Sequence, residues 1–186
     1  MNNKGFSLIE LIVIIAIMGV LVGGASLGIG LVFSKDAMKC ATRLNDSIYD
    51  ARANSMYKAG EFKLIIDNSG SANTATISQT DLTPVTTDTV YLDGVDSGKK
   101  TTISAKFVTE AVSEGTTPAE VKLKFPLNLT FDKAKGNVYS VVDADEMTYG
   151  DGIIVFEIEP LRGNRNRKAK VQLVTTTGKH TIGEFE

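Results

Sequence analysis

At 186 residues and a formal net charge of −2, the chain has room for one folded unit beside any membrane segment, and its charge balance excludes both a nucleic-acid coat and an acidic tail. The single cysteine, Cys40, excludes an internal disulfide and fits no zinc spacing, which leaves it as a small packing side chain. The lack of disulfides says nothing about compartment.

From Phe6 to Ser34 the only charged side chain is Glu10. An apolar run of that length suffices for a helix to cross a hydrocarbon core about 30 Å thick. Its flanks exclude a secretory signal, which places its cleavage site after the apolar region. Ala25, Ser26 and nearby glycines imitate such a site, but only Met1 to Gly5 precede the run. Cleavage at Gly5 keeps the apolar helix in the mature protein. Glu10 is the anomaly, because an ionisable group within a membrane helix costs roughly 2.5–3.5 kcal/mol and is usually partnered. Two readings stand on charge alone: a carboxylate neutralised by the α-amino group of a neighbouring subunit, or a tolerated interfacial Glu.

The stretch Lys4-Gly5-Phe6-Ser7-Leu8-Ile9-Glu10-Leu11 resembles the prepilin processing motif of type IV pilins and type II secretion pseudopilins, and the match continues through about the first thirty residues. The resemblance implies cleavage between Gly5 and Phe6 by a prepilin peptidase and N-methylation of Phe6. It also implies a role for Phe6 and Glu10 in docking subunits into a filament.

Within the run, Gly19 and Gly23 form one small-xxx-small pair and Gly24 and Gly28 another, a spacing that lets helix backbones approach closely in lipid. With Gly30 they also weaken the helix locally, since each glycine costs up to about 1 kcal/mol relative to alanine. The alternative is that glycine is simply frequent in membrane helices. Beyond Ser34 the helix continues in water: Ala37, Ala41, Leu44, Ile48 and Ala51 recur at three- and four-residue steps, with Lys39, Arg43, Asp46 and Asp50 on another side. Unbroken from Phe6 to Ala59, such a helix is about 80 Å long, and Gly60 reads as its stop.

From Glu61 onward the texture is β-rich. Candidate strands are Glu61 to Asp67, Thr74 to Gln79, Thr89 to Leu92, Thr102 to Val108, Val121 to Phe131, Val138 to Val142, Ile153 to Ile158, Lys170 to Thr175 and His180 to Ile182. Pro126 marks a break or a sheet edge. Residues 72–88, rich in Thr, Ser and Asp, read as a surface excursion. Asp50-Ala51-Arg52-Ala53-Asn54-Ser55-Met56 with Gly60 and Phe62-Lys63-Leu64-Ile65 resembles the helix-to-strand junction of GspH/FimT-like minor pilins and pseudopilins. Phe131 with Gly136, and Val171 to Thr175 with Thr177-Gly178-Lys179, resemble that family's final strands. The middle of the chain, roughly residues 70–120, resembles nothing identified.

The expected fold class is α+β: a long N-terminal α-helix, half membrane and half amphipathic, packed on a C-terminal antiparallel β-sheet or β-sandwich head. Residues 1–5 are the expected leader, 6–59 the helix with 6–33 as its transmembrane and filament-core part, and 60–186 the head. No catalytic arrangement can be assembled around His180, the only histidine, or Cys40, and no cofactor is expected. Asp143, Asp145, Glu146 and Asp151 cluster closely enough to raise calcium, although they match no EF-hand spacing and also suit a solvated acidic turn. Arg162, Arg165, Arg167, Lys168 and Lys170 form a basic segment suited to phosphates, without an interleaved aromatic to stack bases; a soluble hairpin loop explains them as well.

The function read from these features is a structural subunit of a type IV pilus or type II secretion pseudopilus, of the minor class. An abundant shaft subunit and a DNA-binding minor pilin are the alternatives. Its partners are other pilins or pseudopilins, the prepilin peptidase, an assembly platform and the membrane, with DNA as the alternative ligand. Lys4 favours a cytoplasmic N-terminus, while Lys35, Lys39 and Arg43 beyond the run pull the other way. The resemblance implies a head outside the cytoplasmic membrane, then a place in a filament at the cell surface.

Overall fold

The chain has no proline before Pro84, so nothing in its first third removes a backbone donor from a helix. In the computed structural model, which describes residues 8–81, 85–95, 98–109, 119–162 and 168–184, with side chains for all of these except 21–34 and 184, Leu8–Tyr57 form one continuous α-helix, α1. Its 50 residues extend about 75 Å. The five glycines between 19 and 30 lie inside it without interrupting it. The helix closes on a bond from Lys58 N–H to Asn54 C=O of 2.9 Å, and the chain bends through Gly60 as expected.

Eleven strands follow: β1 (Phe62–Asp67), β2 (Thr74–Gln79), β3 (Thr86–Tyr91), β4 (Thr101–Val108), β5 (Glu120–Leu123), β6 (Leu127–Phe131), β7 (Val138–Val142), β8 (Thr148–Tyr149), β9 (Ile153–Pro160), β10 (Ala169–Val174) and β11 (His180–Glu184). They make two sheets in which every pairing is antiparallel. One has the order β3-β2-β1-β6-β7-β8 and the other β11-β10-β9-β4-β5. Register follows the alternation of apolar residues. Leu64 lies opposite both Ile77 and Leu129, and Phe156 opposite both Ala105 and Val171, so large buried side chains line up across each sheet.

Ala37, Cys40, Ala41, Leu44, Ile48 and Ala51 are each at most 1% exposed, and they belong to one hydrophobic cluster with the inward residues of both sheets. Each Leu or Ile so buried contributes about 1.5–3 kcal/mol, which makes this shared core the main force holding helix to sheets. The helix stripe read from the sequence is the face that enters it.

The head departs from expectation in three places. Residues 72–88 are a surface excursion only in part: β2, at the bounds expected of the strand Thr74 to Gln79, lies between β1 and β3 with Ala75 and Ile77 turned into the core, while Thr86 to Thr89 on β3 are exposed. Threonine supplied the polar look, but a β-branched residue suits a strand. The strand expected from Val121 to Phe131 is divided at Pro126, as the expected break there allowed, but its two parts lie in different sheets; the bond from Phe125 to Pro126 is cis. The short strand β8 had no counterpart in the sequence reading.

Candidate functional site

The N-terminal part of α1 presents a continuous apolar surface that no other described residue covers. Leu8 is 78% exposed, and exposure stays high through Val20 at 76%, on all sides of the helix. An apolar surface of this extent is stable only when another molecule or a membrane covers it. Glu10 lies in the first described turn, exposed among these side chains; the N-terminal end of a helix favours a negative charge. Gly19 has open space where a side chain would be, and Gly23, Gly24 and Gly28 lie on the same helical backbone. Gly5 and Phe6 fall outside the described residues. Among the described residues no helix is long and apolar enough to cross a membrane.

The C-terminal half of α1 is tied to the sheets by two arginines that the sequence reading did not assign. Arg43 donates to the carbonyls of Tyr91 and Leu92, the latter at 3.2 Å. Beneath it lies a buried polar knot. Asn73 Nδ2 donates to Asp93 Oδ2 at 2.7 Å and to the Thr101 carbonyl at 2.8 Å, while Thr101 Oγ1 donates to Asp93 Oδ1 at 2.7 Å. The knot joins the start of β2, the end of β3 and the start of β4, so it links the two sheets at one end of the helix's buried half.

At the other end, Arg52 donates to the carbonyls of Gly178 at 3.2 Å and Thr177 at 3.3 Å. Gly136 and Gly178 lie against it, both with positive φ (66° and 65°). A β-carbon on Gly136 would meet Arg52 Nε at 2.8 Å, and one on Gly178 would collide with the Gly136 carbonyl. The three motif segments quoted from the sequence, 50–56, 131–136 and 171–179, therefore meet in one place, and only glycine allows the approach. His180 stands beside them with its ring against Tyr49, centroids 6.3 Å apart and edge-on. No acid, base or nucleophile is paired with it in a catalytic geometry among the described residues.

The acidic set is engaged locally. Asp143 Oδ1 accepts from the backbone N–H groups of Asp145 and Met147, and Oδ2 accepts from the Tyr149 hydroxyl at 3.0 Å. Burial acts to raise this carboxyl, yet these bonds outweigh it and hold the group below the usual carboxylate range. Asp145 pairs with Lys124 at 2.6 Å, and Glu146 and Asp151 are exposed. Among the described residues no group of three or more His, Cys, Asp or Glu is arranged to hold a metal ion.

The basic segment is divided. Arg162 is exposed after β9, Arg165 and Arg167 fall outside the described residues, Lys168 is paired with Glu159, and Lys170 lies on β10 opposite Glu157.

Residues 1–26 match the family model of the prokaryotic N-terminal methylation motif. The comparisons with curated proteins and with solved structures return no match.

Proposed function

We propose that this chain, type IV pilin-like by the methylation motif at residues 1–26, is a structural subunit of a type IV pilus or type II secretion pseudopilus. Proteins with such a motif are membrane-anchored precursors processed by a prepilin peptidase and assembled with other pilins, and their work is structural rather than catalytic. In this reading the peptidase cuts between Gly5 and Phe6, and the new Phe6 amine is methylated. The apolar run holds the precursor in the membrane with its head outside the cytoplasm, and Glu10 then docks against the amine of a neighbour already in the filament. Gly19 with Gly23 and Gly24 with Gly28 let the helices close up in the filament core.

The observation that carries the reading is the continuity of two unlike halves in one helix. The motif leads into an apolar segment, exposed from Leu8 to Val20 among the described residues, and the same helix runs on into the core of the head. A folded head on an uncovered apolar rod suits a part that moves from a lipid environment into a bundle of like rods.

The minor, GspH/FimT-like form draws support from the junction around Arg52, Gly136 and Gly178. The DNA-binding form draws less, because Lys168 is already paired with Glu159. The test is mass spectrometry of filaments sheared from the native cells. A peptide starting at a methylated Phe6 is the expected result; material still carrying Met1 to Gly5, or absence from the filament fraction, overturns the proposal. Abundance in the same sample separates shaft from minor subunit.

A further inference from the structure

Ala37 is the first described residue of α1 in the shared core, so the turns of helix around it stand where the apolar segment enters the head. There a polar cavity of about 260 Å³ opens between α1 and the segment joining β3 to β4. One water takes up about 30 Å³ in the liquid, so the cavity has room for a phosphate group and part of its ester. Asp36, Lys39 and Arg43 line it from the helix, and Asp93, Val95 and Lys100 from the segment. Three cations face two carboxylates, and one of the carboxylates is engaged, since Asp93 accepts from Asn73 and Thr101. Arg43 is fixed in the wall by its bonds to the Tyr91 and Leu92 carbonyls. Lys39 and Lys100 are exposed, and among the described residues neither forms an ion pair within the chain. The positive surplus suits a net anionic ligand, and a guanidinium flanked by two ammonium groups suits phosphate oxygens.

We propose that this cavity binds the phosphodiester headgroup of an anionic phospholipid while the precursor is in the membrane. The inference rests on the membrane-anchored reading and deepens it. With the apolar run ending at Ser34, Lys39 lies five residues further on, about 8 Å along the axis. The headgroup layer beside a hydrocarbon core is about 5–7 Å deep. Side chains of a helix lean toward its N-terminus, which for Lys39 and Arg43 is the membrane side, so their charges fall at headgroup level. Val95, exposed beside the cavity, adds an apolar side chain that fits the glycerol and acyl end of the same lipid. A phosphate ion in solution offers the same oxygens; the depth of the cavity favours the lipid. Lys39 and Arg43, which oppose the orientation read from Lys4, then serve a headgroup on the outer side. The lipid sets how deep the head sits, and it is released when the subunit leaves the bilayer.

The test reads lysine reactivity on the full precursor, reconstituted in vesicles of phosphatidylcholine alone or mixed with phosphatidylglycerol. An uncharged acetylating ester attacks only the neutral amine, and a phosphate within reach keeps the amine charged, so Lys39 and Lys100 are expected to react about tenfold more slowly in the anionic vesicles. Lys35 stands as near the bilayer but does not line the cavity. It feels only the diffuse surface potential, which slows it about threefold. Equal slowing of all three lysines, or none at Lys39 and Lys100, overturns the site. Washing the same vesicles with alkaline carbonate separates the two readings. A chain that stays in the bilayer without the selective slowing loses only the lipid site, whereas a chain that washes off loses the membrane-anchored reading as well.

Two further arms use the same readout. Lys100→Gln removes a cavity wall far in sequence from the helix, at an exposed position that the fold does not depend on. In anionic vesicles it is expected to bring the slowing of Lys39 down to the roughly threefold level of Lys35; a Lys39 rate unchanged by the substitution overturns a shared site. Inorganic phosphate added to phosphatidylcholine vesicles identifies the source of the oxygens. No selective slowing is expected, and protection of Lys39 and Lys100 by phosphate equal to that by phosphatidylglycerol overturns the lipid as the ligand.

Discussion

Cys40 has no exposed surface, and burial pushes its thiol up to about 12; the Thr101 hydrogen bond acts against that rise and the nearby Asp93 carboxylate adds to it. A thiol this far from ionising is a packing group, since the thiolate is the reactive form. We expect the native chain to resist alkylation by iodoacetamide at pH 8 and to be labelled promptly once denatured. A native labelling rate within about tenfold of the denatured one would show that the thiol is accessible. The packing role was legible from one cysteine without a partner in an amphipathic stripe. Its neighbours Thr101 and Asp93 were not, because the fold brings them from far along the chain. The acids Asp143 and Asp145 carry the same lesson: their spacing was visible, whereas Tyr149, the backbone donors and Lys124 that occupy them were not.

The elements are joined by a shared core and by an arginine at each end of the buried half of α1. Arg52 is the sharper test, because its two acceptors lie on the turn between β10 and β11 and its flank packs on Gly136 and Gly178. Arg52→Ala removes two charge-assisted bonds and is expected to lower stability by about 1–2 kcal/mol, measured as a shift in the denaturant midpoint of the detergent-solubilised chain. Arg52→Lys should recover only part of this, since a lysine does not reproduce the guanidinium fork. An unchanged midpoint in the alanine variant would mean that the hydrophobic core alone holds the helix. The motif segments containing these residues were legible as resemblances; their convergence on one spot is a property of the folded sheets.

At the scale of the whole molecule, the second half of α1 answers to the head's own core, and in the proposed function the first half answers to lipid or neighbouring helices. Glu10 is the only charge in the first half, so its effect can be separated from insertion. Glu10→Ala should leave membrane association of the precursor intact, because it removes rather than adds a polar group. The variant should fail to enter sheared filaments while the precursor accumulates in the membrane fraction. Normal incorporation of the variant would end the docking role.

Sequence alone determined the features that repeat at short range. These are the apolar run with one carboxylate, the buried stripe from Ala37 to Ala51, the stop at Gly60, the alternation in most strands and the N-terminal motif. A helix face or a strand face is written in residues two to four apart, so local pattern suffices to read it. Only the tertiary structure decided that β2 and β3 stand side by side at the end of one sheet, and that Pro126 separates two sheets. It also decided that Arg43 and Arg52 anchor the helix over the places where those sheets meet. Those outcomes depend on the register and order of strands far apart in the chain, and such partners are chosen by how the whole core packs.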